Sequence, residues 1–533
     1  MVSVQTRSPG VSGQGTIASG TSPNSAGSKH TGLRSNALGF PTVLAESIGV
    51  ISPTMTSVLI VPLAFADAGQ GAWLAYAFGA IMLMFVVFGL NQFAKRSASA
   101  GSMYTYTARG LGPTTGVLSG WALIWAYMFI AIAGLTGFAI FAQQFLNAIG
   151  AGVVIPPVLL FLLSGAVCWY VAYRDIHISS ALTLLIEALS VSCIVVLAGI
   201  VLFKHGFSVD TQQVQLKGMS LHGLSLAVVI SIFSLVGFES ATALGSEARK
   251  PLRNVPRAVF WSLMFAGLFF VFITYVEVAG TRHDATSLAN MAAPLITLSK
   301  LYGVTAFRIP ISLGAMVSFF GLSLTCLNAG SRIIYRMAGH DVVPKALNRA
   351  HPHNKTPHVA ITAYIAVILT VPILLEIFTN PLTTFGDGGT LAAFGFLLAY
   401  FLISIAAPMY LRKIGEIKAS NVVIAVLAFL FLLVPTVGSF YPVPSFPVSI
   451  FPYIFLAYMV LGGGWLYLAN KRRPGILNDL ALDLASHPTG LGLASSAEIE
   501  PDDIPAREAI DLVGMSAPSR MASTEGGIAA GPA

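Results

Sequence analysis

Charge is what this chain has least of. Asp, Glu, Lys and Arg make up 10% of its 533 residues, against about 25% in soluble domains. With 55% of its residues hydrophobic, the chain is not a water-soluble domain. Cysteine is nearly missing: Cys168, Cys193 and Cys326 all fall inside apolar runs, which leaves no disulfide framework and no cysteine-held metal cluster. No phosphate-binding loop and no long polar domain occurs, so ATP-driven transport is not expected. Residues 1–36 have no apolar core, so a cleaved leader is not expected; being rich in Ser, Gly and Thr, they read as a disordered tail. His351, His353 and His358 have metal-like spacing but no carboxylate or cysteine beside them, so neither a metal nor a cofactor is expected.

What the chain does have is long apolar runs. A membrane span needs about 20 such residues, and twelve segments qualify, at about 40–65, 71–94, 116–146, 155–173, 178–203, 221–245, 256–280, 308–337, 358–379, 390–411, 420–440 and 448–470. Alternating sides along these spans, twenty-two of the 29 Lys and Arg fall on the side of the N-terminus and five on the opposite one. The positive-inside rule then puts both termini in the cytoplasm. The net charge of +7 therefore reflects topology rather than a nucleic-acid partner: residues 474–533 carry a net −7, and the basic excess lies in the loops.

The first span, Phe40 to Phe65, is interrupted by Ser52-Pro53-Thr54. Pro53 lacks an amide hydrogen and its ring clashes with the carbonyl of Gly49, so a continuous helix is costly there. Ser52 reads as an N-cap with proline at the first helical position, the start of a second half-helix. Freed backbone groups cost several kcal/mol in lipid, so the break must face protein, water or a ligand, and a cavity is expected.

Three further stretches carry a resemblance. The first contains Lys95-Arg96, Gly101-Ser102-Met103-Tyr104-Thr105-Tyr106, Leu111-Gly112 and Gly120-Trp121; the second is GFESATALGSEARKPLRNVPRAV, residues 237–259; the third is SRIIYRMAGHDVVPKALNRAHPHNKTPHVAI, residues 331–361. Together they resemble the amino acid, polyamine and organocation (APC) permeases over about residues 40–470. Departures from the family pattern are Ser246 where a second glutamate is common, and Ser52-Pro53-Thr54 where a Gly-Ser-Gly type sequence is common. They put the subfamily in doubt rather than the superfamily.

The resemblance implies an all-α polytopic protein of LeuT-like architecture. Its five-plus-five inverted repeat has discontinuous first and sixth helices, and two peripheral helices complete it. It divides the chain into a disordered tail at 1–36, a transporter domain at 37–473 and a disordered tail at 474–533. Within the domain, helices 1–5 span about 40–203, helices 6–10 about 221–411 and helices 11–12 about 420–470. The sixth span supplies the second break, at Phe233, Ser234 and Gly237. An amino acid's carboxylate suits the amides after Ser52, and its ammonium suits carbonyls freed around Phe233 and Ser234. The expected substrate site is therefore Ile51, Ser52, Pro53, Thr54, Met55, Phe233, Ser234 and Gly237, with Tyr127 and Thr325 added from neighbouring spans.

A charge at mid-membrane costs roughly 2.5–3.5 kcal/mol on insertion scales, which makes an intramembrane carboxylate a functional candidate. Glu46, Glu187 and Glu239 lie deep enough to couple transport to an ion, while Glu277 and Glu376 lie near outer span ends and read as interfacial. Some proton-coupled relatives carry a fifth-helix lysine; here no Lys or Arg lies between Ile178 and Phe203, and Glu187 is the candidate proton carrier. The expected function is a secondary transporter of a neutral or small amino acid in the plasma membrane, coupled to protons rather than sodium. An amine or polyamine permease or an exchanger is the alternative. A channel would need a continuous polar lining and a membrane enzyme a cluster of His, Asp or Glu, and neither pattern occurs.

Overall fold

The computed structural model describes Leu33 and residues 36–486 except 175, 283, 292, 442, 444 and 445; most of the N-terminal tail and everything after 486 lie outside the described residues. Among the described residues all regular structure is helical. The main helices are α1 (Phe40–Ile51), α2 (Ala72–Ala94), α3 (Pro113–Ala148), α4 (Pro157–Arg174), α5 (Ile176–Lys204) and α6 (Leu221–Leu235). They are followed by α7 (Pro251–Thr281), α8 (Arg308–Gly339), α9 (His358–Leu375), α10 (Pro381–Lys413), α11 (Ala419–Gly438) and α12 (Phe451–Arg472).

Among the described residues, eleven continuous helical stretches are long and apolar enough to cross a membrane, where twelve were expected. The difference lies at the start, because one stretch of 55 residues, Phe40–Ala94, holds both α1 and α2. Leu38 bridges to Ala248, and the Asn91 side-chain amide donates to the Pro256 carbonyl at 3.1 Å, so both ends of this stretch lie at the start of α7. Its middle lies past the other end of α7, where Gln70 accepts a hydrogen bond from Arg282 at 3.4 Å. The 31 residues of α7 measure about 46 Å at 1.5 Å each. The chain thus travels the length of α7 and returns.

The 36-residue α3 is the spine of the bundle. Small residues let α8 and α10 approach it closely: a Cβ on Gly134 would sit 2.2 Å from Ser323 Oγ, and one on Gly395 would sit 2.4 Å from the Ala122 carbonyl oxygen. Such contacts replace the hydrophobic driving force that lipid cannot supply. Past α12, composition makes residues 474–486 the start of a disordered tail, but Ile476–Ser486 is helical, with Ile476 and Leu480 buried. Their spacing of four puts both on one helix face, a pattern that composition alone hides.

On the face away from the N-terminus, Asp210 ties three connections together. Its carboxylate accepts bonds from the amides of Gln212 and Gln213, from Gln213 Nε2 at 2.9 Å and from Arg282, which also reaches Gln70. Burial pushes this carboxyl up, but the bonds from Arg282 and Gln213 outweigh it and hold it below the usual aspartate range. A depressed value means the pin is stabilising at neutral pH and is lost only as pH falls through it. Hydrogen-exchange protection of residues 206–218 is therefore expected to hold from pH 7 to about pH 4, the ordinary aspartate range, and to fall below that. Loss already at pH 6, or an unchanged profile in Asp210→Asn, would contradict it.

Candidate functional site

The chain breaks at Ser52, which takes the left-handed conformation at φ 46° and ψ 75°, with Pro53 opening the next helical piece. Ser52 stands at the N-cap position as expected, but its hydroxyl does not cap; it meets Ser318 Oγ of α8 at 3.0 Å. After Pro53–Met55 comes a π-helical turn, Thr56–Ile60. Irregular turns of this kind concentrate at functional sites. The freed amide of Thr54 donates to Glu187 Oε1 of α5 at 2.9 Å, and Thr54 Oγ1 donates to Ser190 Oγ at 2.8 Å. Ser318 Oγ donates to the other Glu187 oxygen. The amide assigned to a substrate carboxylate is thus already occupied by a protein carboxylate. Ile51 and Met55 are buried on either side of the break.

The second break lies where the glycine suggests. Helix α6 ends at Leu235, Val236 is extended, Gly237 has φ +103°, and a 3₁₀ segment, Phe238–Leu244, follows. The Gly237 amide donates to Glu239 Oε2 at 3.1 Å. That carboxylate also accepts from Tyr127 of α3 at 2.7 Å and from Tyr400 of α10 at 2.6 Å. Tyr127 and Glu239, which the sequence placed in separate roles, therefore meet in one network. Tyr400 was missed, because a tyrosine among the apolar residues of α10 gives no sign of which helix it faces. Of the remaining expected residues, Phe233 packs on Gly389, while Ser234 and Thr325 return their hydroxyls to carbonyls of their own helices. The Thr325 methyl group fits against Gly49 on α1.

The two breaks are neighbours. Ser47 Oγ donates to the Phe238 carbonyl at 2.6 Å, and Ser240 Oγ donates to the Glu46 carbonyl at 3.1 Å. A Cβ on Gly237 would lie 2.3 Å from Val50 Cγ1. Protein groups thus take the Thr54 and Gly237 amides at the two breaks. Two cavities of about 530 and 640 Å³ lie away from the breaks, at the basic ends of α2 and α7 and beside the loop after α10. Gly237→Ala is expected to cost roughly 1–3 kcal/mol in backbone strain and about 1–3 more in overpacking. Thermal unfolding in detergent should show it, and a variant that melts like the parent would deny the contact.

A third feature lies nearer the N-terminal face. Arg332 of α8 is fully buried and pairs in two-pronged fashion with Glu247, Nε to Oε1 at 2.6 Å and Nη2 to Oε2 at 3.3 Å. By sequence, Arg332 counts among the basic residues of the N-terminal side, near the end of the 308–337 span, with no partner assigned; a clue to its burial was its setting beside Ala329, Gly330 and Ser331 well before the helix ends. Glu46 lies within electrostatic range of both and is buried with neither carboxyl oxygen hydrogen-bonded. Glu277 requires a correction. It is fully buried inside the bundle, also with both carboxyl oxygens unpartnered, rather than interfacial. Closeness to a helix end fixes depth, not exposure, and α7 turns this residue inward.

A model of the family described as "Amino acid permease" matches residues 38–464. A branched-chain amino acid permease of Bacillus subtilis is 23% identical over 404 residues, covering 70% of this chain and 79% of the relative. One from Lactococcus lactis is 27% identical over 374 residues, 66% and 78% of the two chains. A low-affinity putrescine importer of Escherichia coli is 23% identical over 346 residues, 64% and 74%.

Proposed function

The chain belongs to the amino acid permease family, and from that premise we propose that it carries a neutral amino acid across the plasma membrane by alternating access, driven by protons. In this reading the chain makes twelve crossings, with Phe40–Ala94 counted as two; the even number puts both termini on one side, the basic loops make that side cytoplasmic, and the first ten helices form a five-plus-five inverted repeat. The observation that carries the reading is the contact between the two breaks, Val50 against Gly237, with hydrogen-bonding backbone on both sides. Substrate enters between them as the two broken helices part. Its ammonium is received beside Glu239, and its side chain among Ile51, Met55 and Phe233. Two relatives are branched-chain amino acid permeases, and these apolar neighbours suit a similar side chain.

Proton coupling is assigned to Glu187, which joins the first break to α8 through Thr54 and Ser318. A second reading, an amine such as a diamine, is favoured by the number of carboxylates near the breaks, Glu239 and the unpartnered Glu46, and by the putrescine importer among the relatives. A radiolabelled uptake panel in proteoliposomes tests both, with and without sodium or a pH gradient. Saturable, proton-driven uptake of a neutral amino acid is the expected result. Uptake of diamines alone would move the assignment to the second reading, and no saturable uptake of any amino acid or amine would end both.

A further inference from the structure

On the lysine- and arginine-rich face, α2 and α7 diverge around a groove of about 530 Å³. The Asn91 side-chain amide, donating to the Pro256 carbonyl at 3.1 Å, fixes the spacing of its two walls. Three exposed cations rim it: Lys95 at the C-cap of α2, and Arg253 and Arg257 one turn apart on α7. Among the described residues none of the three has a carboxylate within ion-pair distance, whereas the adjacent Arg96 is paired with Glu416 at 2.7 Å. Three unneutralised cations around one concavity call for an anion.

The wall below the cations is apolar and faces outward. From Arg257 the same side of α7 continues through Trp261, 55% exposed, and Phe265 to Leu268, 66% exposed. Eleven residues of helix rise about 16 Å, close to half of the roughly 30 Å hydrocarbon thickness. On α2 the exposed Phe88 and Ile81 follow Lys95 at seven-residue steps along a parallel track. A soluble anion would use the cations and leave this track bare, while a phospholipid matches both parts.

We propose that this groove binds one anionic phospholipid, its phosphate held by Lys95, Arg253 and Arg257 and its acyl chains laid along Trp261, Phe265 and Leu268. Each cation near an anionic headgroup contributes about fivefold in binding, so the three together select anionic over zwitterionic lipid.

The test uses the purified full-length protein in nanodiscs of phosphatidylcholine with a small fraction of brominated phosphatidylglycerol or brominated phosphatidylcholine, reading tryptophan quenching. The expected result is stronger quenching by the brominated phosphatidylglycerol. That excess should vanish in Trp261→Phe and fall about 25-fold in apparent affinity in Arg253→Gln/Arg257→Gln. It should persist in Arg349→Gln/Arg412→Gln, which removes two cations elsewhere on the same face. Equal quenching by the two lipids, or an excess that survives Arg253→Gln/Arg257→Gln, would overturn the site. Loss of the excess in Arg349→Gln/Arg412→Gln would reduce it to general surface charge. Reversal by millimolar glycerol phosphate would replace the lipid with a soluble phosphate.

Discussion

Arg332→Met is expected to destabilise the protein by about 3–5 kcal/mol, the usual cost of leaving one member of a buried ion pair without its partner. Arg332 and Glu247 are each about 1% exposed and share two hydrogen bonds, while Arg332 Nη1 also donates to the Asn328 carbonyl at 3.1 Å. Removing the guanidinium leaves the buried Glu247 without its countercharge and still within electrostatic range of the buried Glu46. Replacing both members of the pair is a different matter, because an ion pair exchanged for apolar side chains of similar size is often close to neutral. Arg332→Met/Glu247→Leu should therefore recover most of the loss. Thermal unfolding of the two single variants and the double variant in the same detergent measures the coupling. Additive losses, with no recovery in the double variant, would show that the two side chains act separately. The pair is also tied to the start of α1: the Ala37 and Leu38 amides donate to the Glu247 carbonyl at 2.9 and 3.0 Å, so the residue that holds Arg332 also holds the chain entering α1.

Glu187→Gln is expected to abolish accumulation driven by a pH gradient while leaving substrate exchange intact. A gradient of two pH units is worth about 2.7 kcal/mol per proton, enough for about hundredfold accumulation by a one-proton carrier. A variant that cannot load the proton should only equilibrate its substrate. The chemistry follows from the network. When ionised, Glu187 accepts from the Thr54 amide and from Ser318 Oγ; when protonated, it donates to Ser318 Oγ, which in turn donates to Ser52 Oγ. One proton thus reverses a chain of hydrogen bonds that ends on the left-handed residue of the first break. Glutamine keeps the shape and the Thr54 bond but carries no exchangeable charge. Retained counterflow shows that the variant is folded, and hundredfold accumulation by it would exclude the role. If Glu239→Gln, rather than Glu187→Gln, uncoupled transport, the proton site would belong to the second break.

The elements legible in the sequence are those set by local physics. Pro53 without its amide hydrogen and Gly237 with its freedom from a Cβ mark the two breaks wherever their helices go, and the apolar runs mark the helices themselves. Less legible was the traffic between helices. Glu187 was singled out because no other carboxylate or cation lies in its span, yet nothing in the chain linked it to Ser318, 131 positions away. Tyr127 was found for one reason and matters for another, the carboxylate of Glu239. Arg332 was counted only as one more basic residue of the N-terminal side and proved to be buried in an ion pair. Glu277 was placed at an interface because it lies near a helix end, although exposure depends on how the helix is turned within the bundle.

By itself the sequence determined that the chain crosses a membrane many times, which face carries the positive charge, and where two helices break. These follow from hydropathy, charge asymmetry and backbone chemistry over a few neighbouring residues. Only the tertiary structure decided that the breaks touch, that Glu187 and Glu239 take the Thr54 and Gly237 amides, and that Arg332 and Glu247 form a buried pair beside the start of α1. Those outcomes depend on the rotation and register of packed helices. In a bundle where every helix is apolar nearly all round, periodicity does not specify either one.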